Sequence, residues 1–183
     1  MTNLENGTDL IVFSSNNFGS DEVRTSTLMA SFALRKRVYF IESPIIRVAK
    51  KATYFLKKNE HEVTVIQPYL PGETSLFEQK QAMQDILKEL IRDENIIHYT
   101  IWTDTPKSMP YIRNLNSEII VYDCIKNYSI SRPELEQELF QYADVVLTSG
   151  LTSQFDKVST VIETPTPTIP HMIHGYQSYR KHA

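Results

Sequence analysis

Residues 118–148, EIIVYDCIKNYSISRPELEQELFQYADVVLT, decide the fold because they predict a strand, a helix and a second strand in succession. Glu118–Asp123 and Asp144–Thr148 are short apolar runs, and Ser131–Tyr142 between them has apolar residues at helical spacing. Pro133 fits the first turn of that helix. Two strands joined by a crossover helix pair in parallel, so the stretch predicts a parallel sheet covered by helices.

The same alternation of strands and helices extends toward both ends of the chain. Further strands are predicted at Leu10–Phe13, Arg37–Ile41, Ile96–Trp102 and Thr160–Glu163, and further helices at Asp21–Leu34, Glu73–Arg92, Met109–Asn114 and Leu151–Lys157. Ala52–Leu56 and Glu62–Pro68 leave two alternatives open, an antiparallel hairpin or a helix followed by a strand. The pattern predicts an α/β protein with a Rossmann-like, doubly wound, mostly parallel sheet of six or seven strands and helices on both faces.

The composition fits one folded domain and disfavours several classes of protein. The chain has 183 residues, of which 41% are hydrophobic and 22% are charged, and this is enough to bury a core. A net charge of −3 gives no electrostatic footprint for nucleic acid, and no apolar run is long enough to span a bilayer. The single cysteine favours a reducing, cytoplasmic compartment. The five glycines are too scattered for a Gly-x-Gly-x-x-Gly turn or a Walker loop.

The loop after the first strand is the first candidate for a ligand site. Sheets of this kind bind ligands beyond the carboxyl ends of their strands, where helices begin. Asn16, Asn17 and Arg24 follow Leu10–Phe13 and suit contact with an acceptor hydroxyl or a phosphate. An ordinary strand–helix connection with a solvated arginine is the alternative interpretation of the same residues.

The residues that end the strand Ile96–Trp102 form a second candidate group. Trp102 offers a flat face on which a sugar ring stacks, and Asp104 is the candidate catalytic base. Thr105 is a candidate contact to the acceptor. Capping of a helix that begins at Pro106 is the alternative role for Asp104 and Thr105, and packing in the core is the alternative for Trp102.

The end of the strand Glu118–Asp123 adds a third group. Asp123 and Tyr128 are predicted to line the same cleft. Cys124 is interpreted as a small buried residue, because no histidine near it in sequence could activate it as a nucleophile.

Two other polar groups receive structural interpretations. His171 and His174 have the spacing of a pair of zinc ligands but lack two further ligands, so no metal site is predicted. Glu134, Glu136 and Glu138 are interpreted as the solvated face of a helix.

Several stretches, in their order and spacing, resemble the N-terminal domain of bacterial two-domain glycosyltransferases of the GT-B type, in the branch linked to cell-surface polysaccharide synthesis. The resemblance is carried by Asp9–Ser14, Arg37–Pro44, Val63–Pro71, Trp102 with Thr105–Pro106, Val121–Cys124 and Glu138–Gly150. Glu138–Gly150, with its sequence ELFQYADVVLTSG, is the most specific of these stretches.

The resemblance implies a division of labour between two domains. Residues 1–163 would be the Rossmann-like domain that faces the acceptor, a glycan or lipid-linked precursor of a cell-surface polymer. Residues 164–183 would be a proline-containing linker toward a donor-binding domain that holds the nucleotide sugar. In that arrangement this domain binds no cofactor or metal of its own, is inactive without the donor half, and is cytoplasmic or peripheral at the inner face of the membrane.

Two other functions stay open at this stage. Glu22–Thr27 retains only Arg24 of the family's Gln-Arg-Pro-Gln pattern, and Ile125–Ser129 lacks the acidic residues that tend to follow Tyr-Asp-Cys in the family. These departures lie at the predicted cleft and favour a non-catalytic protein that docks on a partner glycosyltransferase. The hydroxyl-rich loop Ser14–Ser20 also allows an unrelated Rossmann-like or flavodoxin-like binder of a small molecule.

Overall fold

A computed structural model of the chain describes residues 8–20, 23–124, 133–148 and 161–163. The strands in these ranges are β1 (Asp9–Phe13), β2 (Val38–Ile41), β3 (Ile45–Arg47), β4 (Thr53–Lys58), β5 (Thr64–Pro71), β6 (Tyr99–Thr103), β7 (Ile119–Cys124), β8 (Val145–Thr148) and β9 (Val161–Glu163). The α-helices are α1 (Val23–Ala33), α2 (Leu76–Asp93), α3 (Met109–Ile112) and α4 (Pro133–Tyr142). The helix predicted at Leu151–Lys157 and the tail 164–183 lie outside the described residues.

The strands form one sheet in which all pairs but one are parallel. β5, β2, β1, β6, β7, β8 and β9 follow one another in parallel, and β3 also pairs with β5 in parallel. β4 is antiparallel to β5. Tyr69 of β5 pairs with both Ile45 of β3 and Thr53 of β4, so β3 and β4 lie on opposite sides of β5. The predicted Rossmann-like, mostly parallel sheet is confirmed, with nine strands instead of six or seven.

The order of the strands reverses at β1. From β1 the chain builds outward through β2 and β5, then returns and places β6 on the other side of β1. The register pairs Val12 with Trp102 and Phe13 with Thr103. A crevice opens beyond the carboxyl ends of the strands at such a reversal. The carboxyl ends of β1 and β6 therefore mark the place where a ligand site is expected.

Alternate residues of β1 pack against helices on the two faces of the sheet. Ile11 and Phe13 belong to one apolar cluster with buried residues of α2, α3 and α4. Leu10 and Val12 belong to a second cluster with Met29 of α1. The helices thus cover both faces, as predicted. None of the helices in the described ranges is long and apolar enough to cross a bilayer.

The hairpin is the correct alternative for the segment around β4 and β5. The two strands pair in antiparallel register from Thr53 opposite Tyr69 to Lys58 opposite Thr64. In the turn, the Asn59 side-chain oxygen accepts hydrogen bonds from the N–H groups of residues 61 and 63 at 2.9 and 3.0 Å. Because the turn is polar and is held by an asparagine side chain, residues 57–61 were compatible with a hairpin and with a helix followed by a strand when only the sequence was considered.

Helix α2 begins at Leu76, three residues later than the sequence predicts, because Ser75 caps it. The Ser75 hydroxyl accepts the Glu78 N–H at 3.2 Å, and the Glu78 carboxylate accepts the Ser75 N–H at 2.8 Å. This reciprocal pair is a capping box, which satisfies two of the backbone donors at the helix start.

We expect Ser75→Ala to lower the free energy of unfolding by about 1 kcal/mol, because the Glu78 N–H loses its acceptor. Urea unfolding followed by circular dichroism measures the change. Ser75→Thr keeps the hydroxyl and should stay close to the wild type. Equal stability of the alanine variant and the wild type would contradict the role of the cap.

Candidate functional site

The carboxyl ends of the four central strands carry the polar residues of the candidate site. Ser14 follows β1, Glu42 follows β2, Asp104 follows β6, and Asp123 lies near the end of β7. The first turns of α1 enter the same region with Arg24 and its neighbours. Ser14 and Asp104 flank the point at which the strand order reverses.

Asp104 connects three elements through hydrogen bonds to both of its carboxylate oxygens. The Ser14 hydroxyl donates to Oδ2 at 2.7 Å, and the Ser15 N–H donates to Oδ1 at 3.1 Å. The Thr25 hydroxyl of α1 donates to Oδ2 at 3.4 Å. Burial raises the pKa of Asp104, and these hydrogen bonds oppose that rise. The carboxylate thus ties the loop after β1 and the start of α1 to the end of β6.

Asp123 lies in a different environment, beside Arg24 and Trp102. Its side chain has no exposed surface, and Arg24 Nη1 lies 3.6 Å from its Oδ1. Among the described residues, no donor makes a well-aligned hydrogen bond to either carboxylate oxygen of Asp123. The indole N–H of Trp102 likewise has no well-aligned acceptor among these residues. Asp123 therefore holds lone pairs that the described part of the protein does not use.

The electrostatics of this group push the Asp123 carboxyl toward its protonated form. Burial raises the pKa of Asp123 from its ordinary value of 3.8 to about 6. The Arg24 cation lowers the pKa of Asp123, and the nearby Asp104 carboxylate raises it. The Trp102 N–H also lowers this pKa, because it lies close to the carboxylate even though the two do not form a well-aligned hydrogen bond. Asp123 consequently titrates near neutral pH, which is the range useful for proton transfer.

The loop after β1 is held by hydrogen bonds from its own backbone N–H groups. The Asn16 N–H donates to the Ser14 hydroxyl at 3.2 Å, the Phe18 N–H to the Glu42 carboxylate at 2.9 Å, and the Gly19 N–H to the Ser26 hydroxyl at 2.9 Å. Gly19 has a φ of 78°, which a glycine adopts without strain. These N–H groups are committed to protein acceptors, so they do not form a cradle for a phosphate.

The site residues predicted from the sequence fall into separate groups at the carboxyl edge of the sheet. Arg24, Trp102 and Asp123 come together, while Asp104 contacts the loop that contains Asn16 and Asn17. Asn17 is exposed, and its carbonyl accepts the N–H of residue 20 at 3.1 Å. Tyr128 lies outside the described residues.

Trp102 and Thr105 take the alternative roles that the sequence left open, which are packing in the core and capping. The ring of Trp102 is only 7% exposed and packs against Phe32 of α1 with 5.9 Å between the ring centroids. Its face is thus covered by the core instead of being open to a sugar ring. Thr105 is buried and caps the 3-10 turn Pro106–Ser108 by accepting the Lys107 N–H at 3.3 Å, which is its predicted alternative role.

Three residues of this edge were missed by sequence reasoning. Ser14 and Thr25 bind Asp104, and Glu42 binds the loop after β1. Glu42 directly follows a predicted strand, and this position was the available signal. Burial raises the pKa of Glu42, and the hydrogen bond from Phe18 opposes that rise.

Metal binding and the lone cysteine add no further group to the site. Within the described ranges, no cluster of three or more His, Cys, Asp or Glu side chains is arranged to hold a metal ion. Cys124 is half-buried at the end of β7, and burial raises the pKa of its thiol. A raised thiol pKa is the opposite of what a nucleophilic cysteine needs.

Comparison with known proteins gives a similarity in structure. No family model matches the chain, and no curated protein matches it in sequence. A solved chain of sucrose-phosphate synthase from Thermosynechococcus elongatus is similar with a TM-score of 0.56 and 16% identity, over 87% of this chain and 90% of that chain. The similarity shows that this chain shares the Rossmann-like α/β fold of that chain.

Proposed function

We propose that the chain is the acceptor-side lobe of a GT-B-type glycosyltransferase that modifies a glycan or lipid-linked precursor of a cell-surface polymer. The observation that carries this proposal is the group of Arg24, Trp102 and Asp123 at the reversal of the strand order. A buried carboxylate to which the described residues donate no well-aligned hydrogen bond, beside a cation, suits recognition of a sugar hydroxyl. The fold shared with a domain of sucrose-phosphate synthase supports the same reading.

The proposed roles divide between the two aspartates. Asp123 would accept a hydrogen bond from an acceptor hydroxyl and, with a pKa of about 6, take up its proton. The hydroxyl oxygen would then bond to the anomeric carbon of the donor sugar while the bond from that carbon to the phosphate oxygen breaks and the nucleotide leaves. Arg24 is 23% exposed and connects this carboxylate to the surface, where its guanidinium would donate a hydrogen bond to the same acceptor. Asp104, the base proposed from the sequence, would have to release a protein donor first, and we therefore assign it to positioning Ser14 and Ser15.

The nucleotide-sugar donor is proposed to bind a second lobe, provided by another domain or by a partner glycosyltransferase. The loop Ser14–Ser20 supports this division, because its N–H groups are largely committed and Glu42 adds a carboxylate next to it. The same observation disfavours a flavodoxin-like binder, which needs free N–H groups around a phosphate.

Acceptor binding is tested by the fluorescence of Trp102, the single tryptophan of the chain. The probes are the methyl glycosides of glucose, galactose and N-acetylglucosamine, with UDP-glucose as the donor control. We expect a glycoside to change the emission and UDP-glucose to leave it unchanged. Arg24→Ala should weaken glycoside binding about tenfold or more, because a hydrogen bond to a charged group is worth about 1.5–3 kcal/mol.

Arg35→Ala, in the exposed turn after α1, is the matched control and should bind like the wild type. Response to UDP-glucose but to no glycoside would assign the chain to the donor side. Response to neither probe would favour the non-catalytic docking protein. Transfer of a labelled sugar by the isolated chain would contradict its proposed dependence on a second lobe.

A further inference from the structure

Strand β4 lies at the margin of the sheet, with one open side in the part of the chain that the structure describes. It pairs with β5, and no other described strand pairs with it. The Asn59 N–H donates to the Val63 carbonyl at 3.0 Å and continues the ladder between the two strands. Because hydrogen-bonding groups alternate between the two sides of a strand, the odd-numbered residues of β4 bond to β5. Tyr54, Leu56 and Lys58 therefore direct their N–H and C=O groups toward the open side.

The open side of β4 is long and partly apolar. The strand has six residues and no proline, and its Phe55 and Leu56 are 65% and 41% exposed. An edge of this kind recruits another strand unless it is shortened, interrupted or covered. Lys57 and Lys58 at the end of β4 limit which strands can pair with it, because like charges opposite each other are destabilising. The edge thus selects its partner by charge.

The two ends of β4 carry opposite charges. Lys50 and Lys51 precede the strand, and both are exposed. Glu60 and Glu62 lie exposed in the turn that follows it, where Glu62 also pairs with Lys58. A second, antiparallel copy of β4 would place each basic end beside the acidic turn of the other copy.

We propose that β4 pairs with β4 of a second copy of this chain, antiparallel and about a two-fold axis at Leu56. In this register Leu56 lies opposite the partner's Leu56, and Tyr54 lies opposite the partner's Lys58. All outward-facing residues then form hydrogen-bonded pairs, with about six backbone hydrogen bonds between the two copies. The two sheets become one continuous sheet, and the same patch forms the interface on both copies.

The side chains of β4 fit this register. Phe55 lies opposite the partner's Lys57, and Tyr54 lies opposite the partner's Lys58, so an aromatic ring faces a cation at each of these positions. Leu56 and the partner's Leu56 project from one face of the sheet and bury apolar surface against each other. The aromatic–cation contacts occur twice, because each copy supplies both members of every pair.

Other registers of the same pairing are less favourable. An axis at Lys57 or at Lys58 would place that lysine against its own counterpart. An axis at Tyr54 would place Lys58 against the partner's Lys50, and an axis at Phe55 would leave Lys58 outside the ladder and give about four bonds. An extended segment of another protein could form the backbone bonds, whereas a copy of β4 also brings a matching order of charges.

Self-association of the full chain is measured by sedimentation equilibrium. The apparent mass should rise from 21.2 kDa toward twice that value between about 1 and 100 µM protein, because so small an interface associates weakly. Leu56→Pro removes an outward N–H and no bond to β5, and an edge strand tolerates proline at such a position. This variant should stay folded by circular dichroism and associate at least tenfold more weakly. Leu56→Val keeps the N–H, and as the matched control it should associate like the wild type.

Exchange of the charged ends tests the antiparallel order. Lys50→Glu with Lys51→Glu makes both ends acidic, and Glu60→Lys with Glu62→Lys makes both ends basic. Each double variant should associate with itself about tenfold more weakly, since like charges then face each other at both ends of the pairing. An equimolar mixture of the two double variants should regain association, because every acidic end again lies beside a basic end.

The control for net charge is Arg35→Glu with Lys88→Glu, which changes exposed residues elsewhere and should associate like the wild type. A wild-type chain that stays monomeric over the whole range would overturn the proposal and leave the open edge to an extended segment of another protein. Association that Leu56→Pro does not weaken would also overturn it, because the contact would then lie on another surface. Failure of the mixture to regain association would contradict the antiparallel order.

Self-association goes beyond sugar recognition, and the two proposals can fail independently. Strands β5, β2, β1 and β6 lie between β4 and β7, so roughly 24 Å separate the open edge from the strand that carries Asp123. Glycoside binding reported by Trp102 should therefore be the same in Leu56→Pro and in the wild type.

Discussion

Replacing Asp104 by alanine is expected to lower the free energy of unfolding by about 3 kcal/mol, the largest loss we predict for a residue of the site. The Ser14 hydroxyl and the Ser15 N–H lose their acceptor, and the weaker bond from Thr25 is lost too. Buried donors without an acceptor cost about 1–3 kcal/mol each, and removal of a buried carboxylate with a raised pKa offsets part of that cost. Urea unfolding monitored by circular dichroism measures the difference.

Asp104→Asn serves as the conservative variant, because its amide keeps one acceptor oxygen at the junction. It should lose about 1 kcal/mol, roughly the worth of one hydrogen bond. Asp85→Ala, on the exposed side of α2, is the matched control and should change stability little. If Asp104→Ala were as stable as this control, the carboxylate would not be what holds the loop after β1 against β6.

Replacing Asp123 by asparagine is expected to stabilise the protein at alkaline pH by about 3 kcal/mol, because a pKa raised by about two units corresponds to roughly that energy. Unfolded Asp123 releases its proton near pH 4 and the folded residue near pH 6. The folded state therefore binds this proton more tightly. The contribution of Asp123 to stability is fully present below about pH 4 and is lost as the pH rises through about 6.

The difference in unfolding free energy between Asp123→Asn and the wild type should accordingly be small at low pH and grow through pH 6. Trp102 gives an independent optical readout, since its emission should titrate with a midpoint near pH 6 in the wild type and not in the variant. Asp85→Asn is the control for general effects of charge. A stability difference that does not depend on pH would show that Asp123 is not the titrating group.

The fold was largely predictable because the central strands are continuous apolar runs. β1, β6, β7 and β8 were all predicted within a few residues of their bounds, and their alternation with helices fixed the parallel sheet. β3 was not predicted, because it has only three residues and all are exposed. Its pairing with β5 depends on tertiary structure that a local pattern does not encode.

The site was predictable as a location but not in its internal contacts. The topology rule brought Arg24, Trp102 and Asp123 to one edge, since all three follow or end strands of a parallel sheet. Whether the face of Trp102 is open depends on Phe32, which lies one helix away and covers it. Asp104 is the aspartate that accepts hydrogen bonds from the protein, because it meets Ser14, which lies 90 positions away in the sequence.

The interpretation of Glu136 as a solvated residue was wrong for a similar reason. Glu136 is only 9% exposed, and its carboxylate accepts the Tyr122 hydroxyl at 2.9 Å. Burial raises the pKa of Tyr122, so its hydroxyl stays protonated and needs an acceptor inside the protein. The spacing of α4 gave no sign that a tyrosine of β7 would lie beneath that glutamate.

The position of β1 in the middle of the sheet also constrains how the chain can be made. One neighbour of β1, the strand β2, is synthesised soon after it, but Thr100, the partner of Leu10 on the other side, comes 90 residues later. Pairing over such a separation is slow, and an apolar strand with an open edge invites association with other chains. During translation, the edge of β1 that pairs with β6 therefore stays unpaired until Thr103 has left the ribosome. A chaperone that covers this apolar edge in that interval would favour the native product over aggregates.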